Sequence, residues 1–99
     1  MEKCRPHYDL KAIVAQMVSV DAMNLTQSAA EGIKAVGMKK TDALEVVQGL
    51  SGANFYKSMT SYEDHKVWQD VYHAEWRGKE LYLKFQQVGE YYVISFKER

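Results

Sequence analysis

A chain of 99 residues, 46% apolar and 26% charged, is long enough to bury one small core and too apolar to remain disordered. Thirteen basic and thirteen acidic residues cancel to a formal net charge of +0, and the parts before and after Phe55 are each neutral. Bulk charge therefore does not mark a nucleic-acid binder, and any site for a polyanion must be a local cluster. The lone cysteine, Cys4, excludes an internal disulfide and fits a reducing cytoplasm; no apolar run reaches the roughly 18 residues of a membrane span, and no signal-peptide core is present.

The chain changes character near its middle. Of twelve aromatic residues only Tyr8 precedes Phe55, and small helix formers give way to strand formers after it. No linker composition separates the parts. The expected architecture is α+β: one domain over 1–99, mainly helical over 1–54 and mainly sheet over 55–99, with N-terminal helices packed on a mostly antiparallel C-terminal sheet.

The first predicted helix follows Asp9, a suitable N-cap, and carries Leu10, Ile13, Val14, Met17 and Val18 on one stripe. The second starts near Thr26 or Ser28, runs through Ala29, Ala30 and Ile33, and closes at Gly37. The third, "TDALEVVQGL", has Thr41 as its expected N-cap, Leu44 and Val47 on one face, and Gly49 at its end. A short helical turn is expected from Ser51. "KVWQDVY" alternates as a strand does, and "AEWRGKE" follows as an exposed connection turning at Gly78.

"LYLKFQQVGEYYVISFK" then reads as a hairpin. Gly89 and Glu90 suit the centre of a type II′ turn, which matches strand twist. That turn opposes Val88 to Tyr91, Leu83 to Phe96 and Phe85 to Ile94. On the other face it opposes Lys84 to Ser95 and Tyr82 to Lys97. A slip of one residue would expose Leu83 and Phe96, so the register is well specified. A phenol and an ammonium side by side fit ordinary solvated surface as well as a site.

The blocks "FYKSMTSYEDHKVWQDVY", "LYLK" and "ISFKE", with "MEK" and Pro6-His7 near the start, resemble the MqsR toxin family. The likeness is strong over the C-terminal half and loose over the helical half. It implies a RelE-like fold and a ribonuclease of a toxin–antitoxin system, one that cuts single-stranded mRNA without the ribosome. It further implies an MqsA-like antitoxin partner, and no cofactor, metal or membrane. The residues carried over as catalytic are Lys57, Gln69, Tyr82 and Lys97, with Tyr56, Lys84 and Tyr91 as substrate-binding candidates. The histidines His7, His65 and His73 fall outside that set. Two functional classes stand beside each other: a metal-independent endoribonuclease and a non-catalytic RNA-binding or protein-interaction module.

Metal-free RNA cleavage needs the 2′-hydroxyl activated, the phosphorane charge stabilised and the 5′-oxygen protonated. Free tyrosine and lysine titrate near pH 10, too high for easy proton transfer at neutral pH. Clustering Lys57, Lys84 and Lys97 around Tyr82 is expected to lower these values.

Overall fold

A computed structural model describes all 99 residues. Three helices and a five-stranded antiparallel sheet give an α+β fold: β1 (Glu2–Lys3), α1 (Leu10–Gln16), α2 (Gln27–Val36), α3 (Lys40–Gln48), β2 (Phe55–Thr60), β3 (Trp68–Trp76), β4 (Lys79–Val88) and β5 (Tyr91–Glu98). The strands lie side by side in chain order. Single 3₁₀ turns span Asp21–Met23 and Gly52–Asn54, the second where a turn from Ser51 is expected. No helix is long and apolar enough to cross a membrane.

The helix signals hold with two adjustments. The Asp9 carboxylate accepts from Lys11 N at 3.0 Å and caps α1. That helix stops at Gln16, however, so Met17 is buried while Val18 is 68% exposed. The stripe is real, but its last residue has lost helical geometry. In α2, Thr26 Oγ1 accepts from Ala29 N at 3.1 Å, and Gly37 closes the helix at φ 86°, a left-handed conformation that costs glycine little. Helix α3 begins before Thr41: Lys39 occupies the N-cap position, and the Asp42 carboxylate reaches back to Lys39 N at 2.9 Å. A carboxylate in the first turn also offsets the helix dipole, so the helix starts two residues earlier than a Thr41 cap would allow.

One face of the sheet holds the core. Tyr72, Leu81, Leu83, Phe85, Ile94 and Phe96 are buried there against Ile13, Met17, Met23, Ala29, Ile33, Val36 and Val47 from the helical part. The β4–β5 hairpin has the expected register at every pair, from Val88–Tyr91 to Tyr82–Lys97. Gly89 adopts φ 61° while Glu90 does not take positive φ, as the first position of a type II′ turn requires.

"AEWRGKE" is not an exposed connection. Ala74–Trp76 continue β3, Lys79 and Glu80 begin β4, and only Arg77 and Gly78 turn, at φ 49° and 79°. Two successive left-handed residues match a two-residue hairpin turn. Arg77 tolerates that conformation with its guanidinium 4.7 Å from the Trp76 ring.

Candidate active site

The face of the sheet opposite the core carries the polar side chains. Its central pair is Tyr82 and Lys97, directly opposed on β4 and β5, with Lys97 Nζ 4.9 Å from the phenol ring centroid. Tyr82, Lys84, Ser95 and Lys97 line a hollow of about 300 Å³, with Ser28 from the first turn of α2 at its rim. Helix α2 is held against β5 by a backbone bond from Thr26 N to Ile94 O at 3.1 Å, so its positive N-terminal end sits beside this hollow.

Lys57 reaches the same face from β2 through a β-bulge. Phe55 pairs with Tyr72, yet Lys57 pairs with Val71, so an extra residue is accommodated between them. Phe55 thus stays toward the core while two consecutive side chains, Tyr56 and Lys57, serve the open face. The bulge also hides β2 in the sequence, because it breaks the alternation of "FYKSMT". Val71, flanked by Lys57 and Lys84 on neighbouring strands, is fully buried although it lies on this face.

Gln69 lies farther along. Its Nε2 donates to Gln86 Oε1 at 2.8 Å, and both line a second hollow shared with Lys84 and the loop Ser61–Val67. It is four residues from the level of Tyr82, roughly 13 Å at strand spacing. Tyr91 is 61% exposed at the hairpin tip, six residues from Lys97 and roughly 20 Å away. The structure therefore brings Tyr56, Lys57, Tyr82, Lys84 and Lys97 together and leaves Gln69 and Tyr91 as outlying positions on the same face.

Two groups on this face lie outside the sequence-derived set. Glu2, on β1, forms an ion pair with Lys57 Nζ. The segment that follows β1 is held by a fully buried carboxylate. Asp70 accepts from His7 N at 3.0 Å, Tyr8 N at 2.9 Å and Ser58 Oγ at 2.6 Å, which satisfies a charge that would be costly to bury alone. Two residues of strand carry no periodicity, so nothing local in the sequence announces β1. The second group is His73, paired with Tyr82 across β3 and β4 and stacked on Tyr56 at 4.2 Å. The Arg77-Gly78 turn, read as a two-residue hairpin, would have placed it there.

The charge states depart from the expected mutual lowering. Burial pushes the Tyr82 phenol above its ordinary value, and the ammonium of Lys57 opposes this only in part. Lys57 itself is raised, because the Glu2 carboxylate hydrogen-bonds its charged form. Lys84 moves down as expected, through burial first and repulsion from Lys97 second. Desolvation and a carboxylate unseen in the local sequence outweigh repulsion among the lysines. At neutral pH the site presents a protonated phenol and a charged Lys57.

Comparison with known proteins identifies the family. A family model described as motility quorum-sensing regulator, toxin of MqsA, matches residues 5–98. The chain is also 37% identical to the mRNA interferase toxin MqsR of Escherichia coli (strain K12) over 99 residues, which is the full length of both. A match spanning both the helical part and the strands that carry Lys57, Tyr82 and Lys97 establishes that the chain belongs to the MqsR toxin family.

Proposed function

We propose that the protein is a ribosome-independent and metal-independent endoribonuclease that cuts single-stranded mRNA in the cytoplasm, and that a cognate MqsA-like antitoxin holds it silent. The observation that carries this reading is the Tyr82–Lys97 pair at a hollow lined by two lysines, Lys84 and Lys97, on a chain with no net charge. A scissile phosphate fits that hollow, and fixed lysines supply the positive charge that phosphorane formation needs.

The raised phenol makes Tyr82 the proton donor to the leaving 5′-oxygen rather than a base. Lys97 stabilises the developing charge. Lys57, held charged by Glu2, binds phosphate, and Lys84 extends the cationic rim. Tyr56 offers a stacking surface to an unpaired base, Gln69 a hydrogen-bonding edge farther along the strand, and Tyr91 a stacking surface at the distal end. The products are a 2′,3′-cyclic phosphate and a 5′-hydroxyl.

The test is incubation of purified protein with a defined single-stranded RNA, in EDTA and without ribosomes. Discrete fragments ending in cyclic phosphate are expected. Binding without cleavage would assign the face to a non-catalytic RNA-binding module.

The Glu2–Lys57 pair adds a prediction. RNA phosphate must compete with the Glu2 carboxylate for Lys57. Glu2→Gln is therefore expected to tighten RNA binding a few-fold at low salt, and the gain should shrink as ionic strength rises. Titration of a labelled RNA at two salt concentrations measures both effects.

A further inference from the structure

The ribonuclease reading, on which the following rests, leaves one chemical role empty. Cleavage takes a proton from the 2′-oxygen and gives one to the 5′-oxygen. Tyr82 holds its proton at neutral pH, and Lys57 is already charged; neither can accept one. Lys84, though lowered by burial and by Lys97, belongs to the lining of the hollow assigned to the phosphate. Gln69 has nothing to ionise.

His73 stands beside Tyr82 on the neighbouring strand, its ring 5.9 Å from the phenol ring. Tyr56 lies over one face of the imidazole, the two planes 21° apart, and this stack fixes the ring's orientation. The His73 side chain makes no hydrogen bond within the protein, while its backbone carbonyl accepts from Asn54 Nδ2 at 3.0 Å. His73 lines a hollow with Asn54, Glu75, Glu80 and Arg99. The charged and titratable groups around it are Tyr56 and Lys57 from β2, Glu75 on its own strand, Glu80 and Tyr82 from β4, and Arg99 after β5. Burial and Arg99 lower its pKa while Glu80 opposes them, so the ring is neutral at physiological pH. His65 lies apart, on the loop bordering the hollow that Glu2 and Lys57 open, with no ring contact to Tyr82.

We infer that His73 is the general base of the cleavage, taking the 2′-hydroxyl proton while its strand neighbour Tyr82 protonates the departing 5′-oxygen. As the bond from O2′ to phosphorus forms, the bond from phosphorus to O5′ breaks. The electron pair of the broken bond goes to O5′, which receives the Tyr82 proton. An imidazolium and a phenolate then stand side by side, and one proton passing from His73 to Tyr82 restores both groups. No proton is gained or lost over the cycle, and the strand pairing keeps the return path short.

The test is the pH dependence of single-turnover cleavage by wild type, His73→Phe and His65→Gln, with binding measured separately on a 2′-deoxy analogue that cannot be cut. Phenylalanine keeps the stack on Tyr56 and removes the base. Wild type should lose rate below neutral as His73 gains a proton. His73→Phe should be slower by about 10²–10⁴-fold at neutral pH and lack that acid limb, with binding unchanged and partial rescue by added imidazole. His65→Gln should keep the wild-type profile. The inference is overturned if His73→Phe retains the wild-type rate or its acid limb, or loses rate only in proportion to binding. It is equally overturned if His65→Gln removes the limb. A wild type that binds the analogue but cuts RNA at no pH would overturn the ribonuclease reading itself, a result distinct from all of these.

Discussion

Tyr82→Phe is expected to fold as wild type and to cleave RNA about 10²–10⁴ times more slowly, the usual range for removing a positioned proton donor. The substitution deletes one oxygen from a half-buried ring whose hydroxyl makes no hydrogen bond within the protein, and it leaves the ring beneath Lys97 in place. Circular dichroism and melting temperature should not move. Lys97→Ala should cost about 10²–10³-fold by removing charge stabilisation at the phosphorane. The two groups act on one transition state, so the double variant should be less impaired than the product of the two losses. Single-turnover rates on one RNA, with binding to an uncleavable analogue measured in parallel, separate loss of chemistry from loss of affinity. A Tyr82→Phe protein that cuts at the wild-type rate would remove this residue from the mechanism.

The largest effect on stability is expected at Gly32. A Cβ there would land on the carbonyl oxygen of Phe96 and come within 3.3 Å of Lys97 Cα. Alanine is favoured over glycine in a helix by about 1 kcal/mol, so helix propensity alone predicts that Gly32→Ala stabilises. The obstacle, however, is strand backbone, which cannot rotate away as a side chain can. Overpacking of this kind costs about 1–3 kcal/mol and sometimes more, and a backbone clash belongs at the upper end. A net loss of about 2 kcal/mol lowers the melting temperature of a domain this size by about 8–16 °C. Gly52→Ala, with nothing within 4 Å of the added carbon, is the control and should melt as wild type. Because the displaced strand carries Lys97, cleavage by Gly32→Ala should also fall at temperatures where the protein remains folded.

What the sequence made legible follows from how local each determinant is. The β4–β5 register was readable because one glycine defines the turn and two apolar rows punish a slip. The caps of α1 and α2 were readable because Asp9, Thr26 and Gly37 act on neighbours a few residues away. The start of α3 was misplaced because two cap signals lie within four residues and the Asp42 carboxylate prevails over the Thr41 hydroxyl. Strands β1 and β2 escaped notice, one too short to show a period and the other broken by its bulge. The four catalytic candidates came from family likeness, and pattern alone placed only Tyr82 and Lys97 together. His73 was set aside because the set carried over from the family contains no histidine, and with the Arg77-Gly78 turn read as a loose connection nothing placed it beside Tyr82. Glu2 meets Lys57 across 55 positions, a separation that no local pattern spans. The direction of the Tyr82 shift depends on burial, which the spacing of lysines does not reveal.

Because the sheet is ordered as the chain is, the site is assembled in the order of synthesis and completed by its last strand. Helix α2 is made early, but the edge it rests on, Ile94 and Phe96, is made near the end. Lys57 and Lys97 are forty residues apart, an interval of about 2–8 s at ordinary elongation rates. Throughout that interval the nascent chain carries Tyr56 and Lys57 but lacks the ammonium opposite Tyr82 and the strand that anchors α2. On the proposed roles of these residues, an unfinished chain should leave uncut the message from which it is being translated. The proposed active face is complete only when β5 docks, so the topology sets when it can first act.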